Sequence, residues 1–83
     1  MGDWLIGAPE LVIEIISPSN SLPKLRDKAQ ICLQNGCREF WIVDLRRRQV
    51  QVLTAAGHSL FTSGRRIPLF FGGAVAVDEI FGD

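Results

Sequence analysis

Cysteine is scarce in this 83-residue sequence, Cys32 and Cys37 being the whole complement. Two thiols are too few to staple a domain of this size. Their five-residue separation fits neither a Cys-x-x-Cys pair nor a zinc-ligand spacing. They read as two buried, reduced thiols that pack as small hydrophobes in a cytoplasmic protein. Net charge is absent as well. Nine Lys/Arg stand against nine Asp/Glu, which excludes a polybasic tail, an acidic solvating segment and a uniformly basic nucleic-acid binder, though not a local basic patch. Long apolar runs are missing: Leu11–Ile13 with Ile15 and Ile16, and Phe40–Val43, are only strand-sized. A membrane span needs about 18 apolar residues, and no basic-then-apolar leader opens the chain. A soluble, cytoplasmic protein without membrane contact is expected. The single histidine, His58, has no Asp or Cys partner in sequence, and a surface or packing role is expected of it.

What is present is globular. A hydrophobic share of 47% with eight Gly and four Pro belongs to a folded domain and not to a disordered or low-complexity chain. Folding at this length buries only about 60–65% of the unfolded surface, so the core is thin and partner contacts are expected. Leu11–Ile16 is a β-branched run with apolar residues on both faces, the pattern of a central strand covered on both sides. Asn20 or Ser21 caps a helix over 22–35, with Pro23 in its first turn and Gly36 closing it. Residues 38–44 form the next buried strand. A meander follows over 49–77, with strands at 49–53, 58–62 and 74–77 and an irregular stretch at 67–73. Asp78 caps a last helical turn, Glu79–Phe81. The chain has no internal repeat and no linker. It reads as one α/β unit: strand, helix, strand, then meander.

Two charges sit where charge is unwelcome. Glu14 interrupts the apolar run Val12, Ile13, Ile15, Ile16, and a carboxylate buried there must be paired, metal-bound or protonated. Lys28 borders the apolar helix stripe Leu22, Leu25, Ala29, Cys32, Leu33. The helix directly follows the Glu14 strand, so the two side chains meet over that strand's C-terminal end. They form either a structural ion pair or part of a site. In the second case the carboxylate holds a divalent cation and the lysine polarises a phosphate or water.

These residues carry a resemblance. Gly7-x-Pro9-Glu10-Leu11-Val12-Ile13-Glu14-Ile15-Ile16-Ser17-Pro18-Ser19 resembles the strand motif of the Uma-two family of restriction-endonuclease-like proteins, within the PD-(D/E)XK nuclease superfamily. Gly36-Cys37-Arg38-Glu39-Phe40-Trp41-Ile42-Val43-Asp44 is similar to the family's next strand. Asp78-Glu79-Ile80-Phe81 is similar to its closing element. The resemblance implies an α/β (α+β) restriction-endonuclease-like fold: a mixed β-sheet with one main helix packed on it. Residues 1–83 would form a single partial domain that lacks the N-terminal helix and strands. It also implies metal-dependent hydrolysis of DNA phosphodiesters, with Mg²⁺ or Mn²⁺ as cofactor, Glu14 as catalytic carboxylate and metal ligand, and Lys28 as the catalytic lysine. The upstream Asp of the superfamily has no counterpart. Asp3 stands close to the terminus, and Glu10 lies on the same strand as Glu14, about 13 Å away at about 3.3 Å per residue. Where the family helix carries an acidic residue, this chain has Lys24, and where it carries Tyr, Cys32.

The other features have bland readings. Arg46, Arg47 and Arg48, like Arg65 and Arg66, read as solvated turns before they read as phosphate contacts. Ser17-Pro18-Ser19 lacks the Gly-x-Ser-x-Gly turn of a nucleophile elbow. Trp41 belongs to the core, and Trp4 packs on something, a second chain included. Two functions follow. In the first, this is a truncated nuclease-like domain, weak or inactive alone, that covers its open sheet edge by homodimerisation. Asp3 or Asp44 would then be the available second carboxylates. In the second, the scaffold is a non-catalytic, dimeric protein-binding module, with Glu14–Lys28 a structural pair.

Overall fold

The computed structural model describes residues 9–16 and 21–82. Asp3, Trp4 and the Asn20 cap lie outside these residues. The elements are β1 (Leu11–Ile15), α1 (Leu22–Gln34), β2 (Glu39–Asp44), β3 (Gln49–Thr54), β4 (Gly57–Thr62), β5 (Arg66–Pro68), β6 (Ala74–Ala76) and α2 (Val77–Ile80). The first four strands make a mixed sheet of order β1-β2-β3-β4, and β5 and β6 form a separate antiparallel pair. β1 and β2 are parallel, joined through α1, while β2, β3 and β4 are antiparallel neighbours. This is the expected mixed sheet with one main helix on it.

Local chemistry sets the ends of α1. Ser21 is extended, and its hydroxyl accepts the Lys24 N–H at 3.5 Å, a long cap. At the other end Gly36 adopts φ 106°, which a side chain would resist. This lets the Cys37 N–H reach back to the Cys32 carbonyl at 3.0 Å. That six-to-one bond defines a Schellman motif, whose usual apolar contact is supplied here by Cys32 and Cys37 themselves.

β2 is buried on both faces. Phe40 and Ile42 pack with Leu25, Ala29, Cys37 and Leu53 under α1. Trp41 and Val43 pack on the other face with Val50, Val52, Ile67 and Val77. The stripe Leu22, Leu25, Ala29, Cys32, Leu33 is the helix face that meets the sheet.

Three expectations are corrected. β1, read as a strand covered on both sides, lies at the edge of the sheet among the described residues, with Ile13 52% and Ile15 51% exposed. The covering layer of β5, β6 and α2 packs over β2 and β3, and of β1 Leu11 is the hydrophobic residue packed against that cluster. A β-branched run has the same pattern at an edge as at the centre. The stretch at 67–73, read as irregular, contributes Ile67 and Pro68 to β5, paired with Val75 and Ala74. Asp78 does not cap α2; that N-terminus is held by Glu79, whose Oε1 accepts the Ala76 N–H at 3.0 Å.

Phe40→Ala should cost about 3–5 kcal/mol in urea unfolding, through lost transfer energy and a cavity between α1 and the sheet. Ile13→Ser should stay within about 0.5 kcal/mol. Comparable losses would show that the outer face of β1 is covered in solution.

Candidate functional site

The sheet register places Glu14 beside Ile42, Ile42 opposite Gln51, and Gln51 opposite Leu60. This row lies on the face that α1 covers, because Ile42 belongs to the core under the helix. Arg26 and Lys28 are two residues apart on α1, roughly 200° around its axis. They therefore descend on opposite flanks. Lys28 Nζ donates to Glu14 Oε2 at 2.5 Å, and an Arg26 Nη donates to Gln51 Oε1 at 3.2 Å. The helix straddles β2, with a polar contact to the row on each side.

The sequence predicts that Glu14 and Lys28 meet, and the structure brings them together. The predicted burial is corrected. The Lys28 side chain is 52% exposed and that of Glu14 28%, and no charged residue is buried among the described ones. A flank position beside the helix leaves both heads in water while their stems cover apolar surface. Such a pair contributes about 0.2–1 kcal/mol. Sequence reasoning missed Arg26–Gln51, although Arg26 occupies the mirror position to Lys28 across the apolar stripe.

The other carboxylates are engaged elsewhere. Glu10 is exposed where β1 begins, away from Glu14, and its backbone carbonyl accepts the N–H groups of Arg38 and Glu39 at 2.8 and 3.1 Å. Asp44 Oδ1 accepts the Arg46 and Arg47 N–H groups, each at 3.1 Å. Its Oδ2 lies 4.0 Å from Arg47 Nε. Lys24 is exposed in the first turn of α1. Mg²⁺ asks for an oxygen shell built on one or two carboxylates with waters and substrate. The described residues offer one carboxylate here, already carrying an ammonium, and they contain no cluster of three or more His, Cys, Asp or Glu able to hold a metal. By themselves they do not fit a divalent-metal centre.

Cys37 is buried and Cys32 half-buried. Burial pushes the Cys37 thiol above its ordinary value, and the neighbouring Cys32 adds to the rise. Backbone hydrogen bonding by Glu39 and Val12 opposes the rise only in part.

The profile of the Uma2 family, described as "Putative restriction endonuclease", matches residues 3–70. No curated protein matches the chain. Four solved chains match. Among them is the crystal structure of a putative nuclease belonging to DUF820 from Anabaena variabilis, 25% identical, with a TM-score of 0.82. The match covers 90% of this chain and 45% of that one, so this chain spans less than half the length of that protein.

A double-mutant cycle of Glu14→Gln and Lys28→Met should give a coupling of about 0.2–1 kcal/mol that fades in molar salt. A larger, salt-resistant coupling would mean the pair is buried in solution. Iodoacetamide at neutral pH should label Cys32 well before Cys37. A raised thiol keeps its proton in the folded state after the unfolded chain has released its own. Its contribution to stability is therefore complete below the unfolded value of about 8.5 and declines as pH rises above it. In urea titrations across that range, Cys37→Ala should remove part of the alkaline decline.

Proposed function

Because this chain belongs to the Uma2 family of putative restriction endonucleases, we propose that it is a nuclease-like domain carrying the Glu14–Lys28 part of a site for hydrolysing DNA phosphodiesters. The observation that supports this most directly is the meeting of the family-motif carboxylate with the helix lysine, at 2.5 Å on a solvent-open flank of the sheet. An ammonium has three N–H donors. Glu14 takes one, which orients the group and leaves the others for a non-bridging phosphate oxygen, where they would offset charge developing in the transition state. Restriction-endonuclease-like proteins generally use divalent metals. Further metal-binding carboxylates would have to come from outside the described residues or from a second copy of the chain. On this reading the isolated chain cleaves DNA weakly or not at all.

A second reading rests on a specific observation. The carboxylate and the ammonium neutralise each other, with no metal-ligating cluster among the described residues. That also suits a non-catalytic, dimeric protein-binding module on the same scaffold, with the pair purely structural.

Supercoiled plasmid incubated with Mg²⁺ or Mn²⁺ separates the two. Any nicking by the wild type should disappear in Glu14→Ala and Lys28→Ala at equal fold content. Nicking that survives Glu14→Ala would remove Glu14 from the site. A folded chain that never nicks, and whose melting temperature ignores both metal and EDTA, would favour the binding module.

A further inference from the structure

The two arginine-bearing turns leave the sheet at the same end. Asp44 pairs with Gln49, and Gln49 with Thr62, in the last row of β2, β3 and β4. Residues 45–48, with Arg46, Arg47 and Arg48, and the turn after Thr62 that leads to Arg65 and Arg66 therefore project from one edge. β1 ends there too, since the Ile16 N–H bonds the Val43 carbonyl at 2.9 Å. α1 begins at this end and carries Lys24 in its first turn. Arg38 stands at the opposite end, where β2 begins, with its guanidinium 4.6 Å from the Phe70 ring centre.

At this edge Asp44 and Asp78 are held by the turns, and Asp44 Oδ2 also lies 4.0 Å from Arg47 Nε. Asp44 accepts the backbone N–H groups of Arg46 and Arg47. Asp78 accepts the Ser63 hydroxyl at 2.6 Å and the Gly64 N–H at 3.3 Å. Each acid thus shapes a turn, and the donors it accepts offset part of its negative charge. The cations stay outside: Lys24, Arg46, Arg47, Arg65 and Arg66 are all exposed. The contrast is sharpest in the first turn, where the Arg47 side chain is 75% exposed and that of Asp44 18%.

The dimensions suit a polyanion. Four strands about 4.8 Å apart make an edge about 14 Å wide. One DNA strand presents a phosphate every 3.4 Å or so of axis, so a duplex laid along that width brings several phosphates to it. Glu14 lies in the row of Ile42, two residues or about 7 Å below the edge.

Building on the nuclease-like reading above, we propose that the backbone of double-stranded DNA lies across this end of the sheet. Arg46, Arg47, Arg65 and Arg66 are its phosphate contacts, and Lys24 lies toward the Glu14–Lys28 pair. Guanidinium forks match phosphate oxygens and carry no base information, so the surface holds duplex without sequence preference.

The test is fluorescence anisotropy of a labelled 20-base-pair duplex in EDTA, over a series of salt concentrations. Four contacts predict a slope of log affinity against log salt of about −3 to −4. Arg46→Ser/Arg47→Ser and Arg65→Ser/Arg66→Ser should each reduce that slope by about 2 and weaken binding on all sequences alike, and Arg38→Ser should leave it unchanged. Circular dichroism checks folding, and if one double variant misfolds the other decides. Slopes indifferent to both turns, a folded wild type that does not bind, or an equal loss in Arg38→Ser would each overturn the surface. So would equal, arginine-dependent retention on phosphatidylglycerol vesicles, which would replace DNA with a lipid surface as partner. Binding is read without metal, so turn-dependent slopes in a chain that never nicks plasmid would keep the surface and remove the nuclease. Nicking with unaffected slopes would do the reverse.

Discussion

The rest of the molecule depends on the burial of β2 from both sides. Four consecutive residues, Phe40, Trp41, Ile42 and Val43, are each 3% exposed or less, so each face of the strand needs its own cover. α1 supplies one cover and the β5–β6–α2 layer the other. Ala29, fully buried, keeps the helix close to the sheet. Once the apolar stripe is seated on Phe40 and Ile42, Arg26 and Lys28 have no choice of side. The ion pair with Glu14 is thus a consequence of core packing, and the site inherits its position from residues that take no part in its chemistry.

That origin bears on what the pair is for. A half-exposed pair adds little to stability, so stability gives weak grounds for placing a carboxylate inside an otherwise aliphatic strand. An apolar residue at position 14 would add exposed apolar area to a strand that already exposes Ile13 and Ile15 on its other face. Glu14 has one solvated flank and one cation, a setting in which a carboxylate stays available to a third group. This is the physical content of the nuclease-like reading. Asp44, diagonal to Glu14 on the same face, spends its Oδ1 on the Arg46 and Arg47 N–H groups, which limits what the described residues do by themselves.

Periodicity made much of this legible in the sequence. The strand–helix–strand order, the helix stripe and the Ser21 and Gly36 ends follow from rules that act within a few residues, and the structure shows them. So does the approach of Glu14 to Lys28, which follows from a short connection between parallel strands. What could not be read was long-range. The edge position of β1 depends on how far a layer built from residues 66–80 reaches. The role of Asp78 depends on a turn 14 residues earlier. The partial exposure of Glu14 depends on which flank of the helix it meets. None of these leaves a local signature.

The charge count is the clearest case of topology adding what composition lacks. Nine cations and nine anions sum to zero, yet the fold sorts them. Glu39 stands at the start of β2, five residues before Asp44, or about 17 Å along the strand. Glu10 lies beyond it at the same end. At physiological ionic strength the screening length is about 8 Å, so these two acids do little to offset the arginines on the far edge. Of the acids near that edge, Asp44 and Asp78 are turned onto backbone donors and Glu79 onto the Ala76 N–H. A chain neutral as a whole therefore presents one end crowded with exposed cations, where Asp44 and Asp78 are held by turn donors. That end is where β1, with Glu14, delivers its C-terminus.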